Sequence, residues 1–394
     1  MIAFDEAVAL VAGVALPLGH EMVALAEAHR RVLAAPVVAM VDSPPADVST
    51  MDGYAVRDAD LALLPAALTV AGESLPGRGF DGALPPQRCI RIFTGAEMPA
   101  GADRVIVQEV VRRDGGTAHV EQPLAASRYI RTAGSDFRAG EVVVEAGTLL
   151  APGAMIAAAA ADVGQVTVHR RPRLRLLSTG DELADPGRAR LVPGSIPDSL
   201  SCGIAALAED YGGRVEQALR LADDLPTLEA AASEALKAAD LVVVTGGASV
   251  GERDFARAMF GDALEPIFSG VAIKPGRPVW LGRARGALVL GLPGNPTSAL
   301  VTARLFLAPL LCGLSGRDPA DALRWRTMPL GEELEAVEGR ETFSRAIERH
   351  GAAHLVGNQD SGSQKMLAMA ELLVRRRPGG EPLPAGSMVE VLIL

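Results

Sequence analysis

The spacing of apolar positions changes several times along the chain. In residues 3–35 the segments FDEAVALVAGVALPLG and HEMVALAEAHRRVLA place apolar residues at helical intervals, which predicts an amphipathic helical opening. In residues 36–150 the runs LTVAGES, CIRIFTG, RVIVQEVV and EVVVEAGTLL alternate with Gly/Pro turns, the pattern of a small β-rich domain. The stretch PGAMIAAAAADVG, residues 152–164, has Pro near its start and Gly at its end, as a helix should.

Residues 172–315 follow another grammar. A continuous apolar strand, a Gly-rich turn and a helix recur three times, in LRLLSTGDEL, LVVVTGGASVGERDF and ALVLGLPGNPTSALVTARLFLAPLL. Unbroken apolar strands alternating with helices predict a parallel sheet covered on both faces. In such a sheet the three turns share the carboxyl edge, where ligands bind. Residues 318–394 return to short strands (ETFSRAIERH, AAHLVGNQDS, MVEVLIL) and predict a small β-barrel or half-barrel.

Composition narrows the function. The chain has 394 residues, which admits about two to four domains. Its net charge of −10 argues against a nucleic-acid coat, because phosphate neutralisation needs clustered cations; a small basic pocket stays open. Only Lys237, Lys274 and Lys365 are lysines, so a lysine in a Gly/Pro loop stands out. Cys89, Cys202 and Cys312 form no CxxC pair, which fits a reducing compartment rather than a disulfide scaffold. The N-terminus lacks the basic start of a secretory signal, and the apolar run 149–161 is too short to span a bilayer. The expectation is a soluble cytoplasmic protein with neither nucleic-acid nor membrane partners.

The candidate chemistry lies in the loops. Thr245–Gly251 follows a strand, and Gly246 and Gly247 would let backbone N–H groups approach an anion, with Ser249 beside them. The loop matches neither a dinucleotide fingerprint nor a P-loop. In STGDEL, Ser178 and Thr179 are expected to cap a helix, with Gly180 at the turn and Asp181 and Glu182 in the first helical turn. Those acids either complement the helix dipole or hold Mg²⁺ between carboxylates and phosphates; Asp254 has the same two readings. Lys274 and Arg277 are held in a loop restrained by Pro275 and Pro278, which suits an oxyanion. In LPGNPTSA, Pro293, Gly294, Asn295 and Pro296 form the third turn, with Asn295 a recogniser and Ser298 a cap. Asp52 and Gly53, Thr94, and Asp136 occupy three further turns in the N-terminal half.

Taken in order, STMDGYAV, RIFTGAEMPAGADRVIVQE, STGDEL, VVTGGASVGERDF, IKPGRP, LPGNPTSA and GNQDS resemble the molybdopterin molybdenumtransferases, a family that includes the C-terminal domain of gephyrin. The resemblance runs over nearly the whole chain. It implies Mg²⁺-dependent insertion of molybdate into adenylyl-molybdopterin, with release of AMP and molybdenum cofactor. It also implies an elongated multidomain α/β homodimer. Its parts are a helical N-terminal region (1–45 and 140–170), an inserted β-rich domain (46–139), a three-layer α/β molybdopterin-binding domain (171–316) and a C-terminal β-barrel (317–394).

Carried over residue by residue, Asp52, Thr94, Asp136, Glu182 and Asp254 match the family's catalytic positions, with Glu182 and Asp254 as metal ligands. Lys274 and Arg277 match the basic pair associated with molybdate, completed by Arg340 and Ser361. Protein partners implied are the molybdopterin adenylyltransferase and molybdoenzyme chaperones. The sequence departs from the family's pattern at Ala46, Val48, Leu200 and Arg277. Two other readings stand beside this one: a molybdopterin adenylyltransferase, against which the additional domains count, and a non-catalytic molybdopterin-binding scaffold, against which the set of acids counts.

Overall fold

The computed structural model describes residues 1–246 and 255–394. The chain divides into two compact units. One comprises Met1–Glu21, Arg30–Ala34 and Thr167–Leu394; the other comprises Met22–His29 and Ala35–Val166.

The larger unit is built on a six-stranded sheet in the order Arg214–Leu221, Arg173–Thr179, Leu241–Thr245, Ala287–Leu292, Trp280–Ala284, Leu264–Ser269. The first four strands are parallel, as their sequence pattern predicts. Trp280–Ala284 runs antiparallel to both its neighbours, Ala287–Leu292 and Leu264–Ser269, so the expectation of a wholly parallel sheet is corrected. The two-residue Arg285–Gly286 connection explains the reversal, since so short a link can only join antiparallel strands.

Strand residues alternate between two cores. Leu174, Leu176, Val243 and Leu290 face one, with Phe4, Val11 and Phe306; Leu177, Val242, Val244 and Val289 face the other, with Leu228 and Ala232 of the helix Leu225–Ala238. Every residue of Leu241–Thr245 is buried, which is why that segment is an unbroken apolar run. The apolar stretch Pro296–Leu314 is one continuous helical rod with a π turn at Ala303–Leu307, and 94% of its most apolar window is buried inside the protein.

A second sheet in this unit follows the order Ile273–Lys274, Glu341–Arg349, Leu372–Arg376, Met388–Ile393, Arg326–Pro329, with Ala352–Leu355 on Glu341–Arg349. The parallel pairing of Ile273–Lys274 with Glu341–Thr342 brings the KPGRP loop to this sheet.

The other unit holds a six-stranded sheet, with the long strand Ala66–Ser74 among short ones such as Gly53–Val56, Arg88–Ile92 and Arg104–Val107, as the β-rich pattern predicts. Pro152–Ala160 is the expected helix, with Pro in its first turn. The helical opening holds only for Phe4–Val14. His20–Ala24 is instead an exposed strand, because Pro17 cannot continue the helix and Gly19, at φ +97°, redirects the backbone.

Candidate active site

Three parallel strands end side by side. Thr179–Gly180, Thr245–Gly246 and Pro293–Asn295 therefore line one cleft of about 670 Å³, with Glu182, Asp223 and Pro296 on its walls. Gly246 has φ +89°, and a Cβ there would lie 2.4 Å from the carbonyl oxygen of Thr179. Only glycine lets these two strand ends approach so closely. The buried Thr179 hydroxyl has no hydrogen-bond partner among the described residues, so a donor site stands open beside that glycine.

Three expectations of local structure are corrected here. Ser178 and Thr179 end a strand rather than cap a helix, and Asp181 and Glu182 sit in the turn before the short strand Leu183–Ala184. The chain cannot enter a helix at once because Gly180 has φ +148° and Pro186 follows soon after; the helix comes only at Leu200–Asp210. Ser298 is likewise buried inside the helix Pro296–Thr302, whose N-cap position is Asn295.

The Ser178 hydroxyl joins a buried chain instead. It lies 2.9 Å from Thr245 Oγ1 and 3.0 Å from Ser201 Oγ, and Ser201 donates to Asp198 Oδ2 at 2.6 Å. The Ser201 N–H also donates to Asp198 Oδ1, at 3.1 Å. Asp198 is 5% exposed, so these bonds supply its solvation. Across the turn, the Asp223 N–H donates to Asp181 Oδ1 at 3.0 Å. Glu182 is exposed, with no ion-pair partner among the described residues.

A second cleft, of about 630 Å³, lies between the KPGRP loop and the second sheet. It is lined by Lys274, Arg277, Arg340, Asn358 and Ser361. None of its three cations has a carboxylate partner among the described residues. Three cations without ion pairs line one cleft, outnumbering its single acidic residue, Asp360, and such a set suits a small anion. The two clefts share a wall: Asn295 Nδ2 donates to Ser361 Oγ at 3.1 Å, and the Thr297 N–H donates to the Ser361 carbonyl at 3.1 Å.

Asp52, Thr94 and Asp136 belong to the other unit. There Asp52 Oδ1 accepts from both the Thr94 N–H and the Thr94 hydroxyl, each at 2.8 Å. Those bonds, the backbone one foremost, hold the carboxyl of the half-buried Asp52 below its ordinary range. Asp136 pairs with Arg131 at 3.2 Å. Gly53 is required next to Asp52, since a Cβ there would fall 1.9 Å from the Ile106 carbonyl oxygen. Gly247, Ser249 and Asp254 lie outside the described residues.

Sequence reasoning missed Asp198, Ser201 and Asp223, and read Thr245 only as the start of a glycine loop. The Asp-x-x-Ser spacing of IPDSLS was the one legible signal, and it reads as local capping until the fold brings it against Ser178.

The whole chain superposes on a molybdopterin biosynthesis MoeA protein from Pyrococcus horikoshii with a TM-score of 0.84 and 27% identity, covering 100% of both chains. Residues 2–162 match the family model of the MoeA N-terminal region (domain I and II), and residues 175–312 match that of a probable molybdopterin binding domain. A molybdopterin molybdenumtransferase of Haemophilus influenzae is 36% identical over 84% of this chain and 82% of its own length. A molybdopterin molybdenumtransferase 2 of Mycobacterium tuberculosis is 34% identical over 94% of each chain. Fold and likeness together define a multidomain α/β transferase. The chain belongs to the molybdopterin molybdenumtransferase family, as its motifs led us to expect.

Proposed function

We propose that this protein inserts molybdate into adenylyl-molybdopterin in a Mg²⁺-dependent reaction that releases AMP. The observation that carries the proposal is the shared wall: a cleft with three unpaired cations adjoins, through Asn295 and Ser361, a glycine-lined cleft at the sheet edge. An oxyanion and a phosphorylated pterin can thus be held next to each other.

In this reading Lys274, Arg277, Arg340 and Ser361 bind the molybdate dianion. Backbone at Gly180 and Gly246, with the Thr179 hydroxyl, receives phosphate oxygens of the adenylylated substrate, while Ser178, Asp181 and the Pro293–Pro296 turn shape the pocket around it. The open Thr179 hydroxyl and the space a Cβ at Gly246 would fill both suit such a group. Glu182 offers an unpaired carboxylate for Mg²⁺; among the described residues no group of three His, Cys, Asp or Glu side chains could hold a metal, so phosphate oxygens would complete its shell. When bound, the metal would neutralise charge between carboxylate and phosphates. The protein's own work is positioning and charge stabilisation.

Asp52, Thr94 and Asp136 would act from a second subunit of a cytoplasmic homodimer, and the four-part domain division belongs to the same reading. Purified protein loaded with adenylyl-molybdopterin should release AMP when molybdate and Mg²⁺ are added. Absence of AMP release under those conditions refutes the proposal.

A further inference from the structure

One buried cation in the larger unit has no part in the reading above. Arg345, on the strand Glu341–Arg349, is 1% exposed and forms no close ion pair among the described residues, although the Asp360 carboxylate is near enough to favour its charge. Its guanidinium donates instead to three backbone carbonyls: Asn358 at 2.9 Å, Asp360 at 3.0 Å and Ser363 at 3.1 Å. The same segment is clasped from the other side by Gln359. The Arg345 N–H donates to Gln359 Oε1 at 2.9 Å, and Gln359 Nε2 donates to the carbonyls of Arg345 and Val356, both at 2.8 Å. A planar fork with several fixed donors is suited to gathering carbonyls from one tight loop; a lysine ammonium is not.

What this loop presents is the wall between the two clefts. Asn358 and Ser361 face the cation cleft, and Ser361 carries both bonds to the Asn295 turn. Gln364, at the start of the helix that follows, lines the sheet-edge cleft. We infer that Arg345 is a positioning residue that fixes Ser361 between the oxyanion cleft and the sheet-edge cleft, so that the two are held at a set distance. This role rests on the oxyanion reading for its consequence, but not for its geometry.

Two measurements on the full-length protein separate these. The first follows the side-chain amide resonance of Asn295 by NMR in wild type, Arg345→Lys and Ser361→Ala. Positioning predicts that Arg345→Lys moves this resonance as Ser361→Ala does, in a variant that still folds and melts cooperatively. An Asn295 resonance unmoved by Arg345→Lys overturns the inference, whatever molybdate does.

The second is calorimetric titration with sodium molybdate. Arg345→Lys and Ser361→Ala should each weaken binding by roughly tenfold, the scale expected for a group that orients a ligand-binding residue. The double variant should be no weaker than about twofold below the poorer single, because both act through one residue. Losses that multiply would assign Arg345 a separate effect and overturn the inference. Should Arg345→Lys fail to fold, Gln359→Met cuts the same loop's other clasp and must meet both criteria. A wild type that binds no molybdate refutes the oxyanion reading and leaves the Asn295 result to decide on Arg345.

Discussion

Replacing Asp240 by Asn should destabilise the larger unit without touching either cleft. Asp240 stands just before the strand Leu241–Thr245, at the edge opposite the glycine turns. Its carboxylate accepts from Arg170 at 2.9 and 3.0 Å and from the Arg173 N–H at 2.9 Å, and Arg173 Nε and Nη2 also reach it, both at 3.3 Å. Burial would raise the Asp240 carboxyl, but these hydrogen bonds outweigh it and hold the group at about 2. Its side chain is 11% exposed. A fall from an ordinary 3.8 to about 2 corresponds to about 2 kcal/mol of folding stability at neutral pH.

The sign follows from the depressed value. The contribution is complete above the unfolded-state range near 4 and is lost as pH falls towards 2, with about half remaining near pH 3. Melting curves of wild type and Asp240→Asn should therefore differ by a constant amount from pH 7 to 5 and converge as the solution is acidified towards pH 3. Equal stability at pH 7, or a difference that does not shrink on acidification, refutes the reasoning. Molybdate binding by the variant at pH 7 should match wild type.

Gly246→Ala should cost about 1–3 kcal/mol of stability from the left-handed backbone alone. It should also abolish binding of adenylyl-molybdopterin, because the new methyl meets the Thr179 carbonyl; retained binding by calorimetry would count against the cradle. Arg340→Ala should weaken molybdate binding by roughly 10- to 100-fold, the value of a lost charge-assisted bond. Burial pushes the Cys89 thiol up to about 12 and the Cys312 thiol to about 11, whereas Cys202 is exposed. A thiol reagent at pH 8 should thus label one cysteine per folded chain and all three in urea, as read by mass spectrometry.

The sheet that carries the site was legible because its strands are buried on both faces, and residues such as Val242 and Val243 have no polar alternation to hide them. The glycine turns were legible for the same reason: each follows a run that can only be a strand. The segment after Gly19 was misread because its apolar residues keep a helical interval while Met22 stays exposed, so no core holds a helix there. Asp198 and Ser201 stayed hidden because their partner Ser178 is distant in sequence and near only in the fold. Arg345 was invisible for a similar reason, since its ligands are backbone carbonyls, which any residue could supply.

Met388–Ile393 is the last strand of its sheet in chain order, yet it does not lie at the edge. This strand is interior to its sheet, bonded to Leu372–Arg376 on one side and Arg326–Pro329 on the other. During synthesis, Lys274 and Arg277 leave the ribosome long before the strand that completes the sheet bearing Arg340. A nascent chain therefore exposes two cations without the wall that turns them into a site. Arg340, Asn358 and Ser361, which line the cleft with those cations, all come later in the chain, so the cleft is complete only once that later stretch has joined the KPGRP loop.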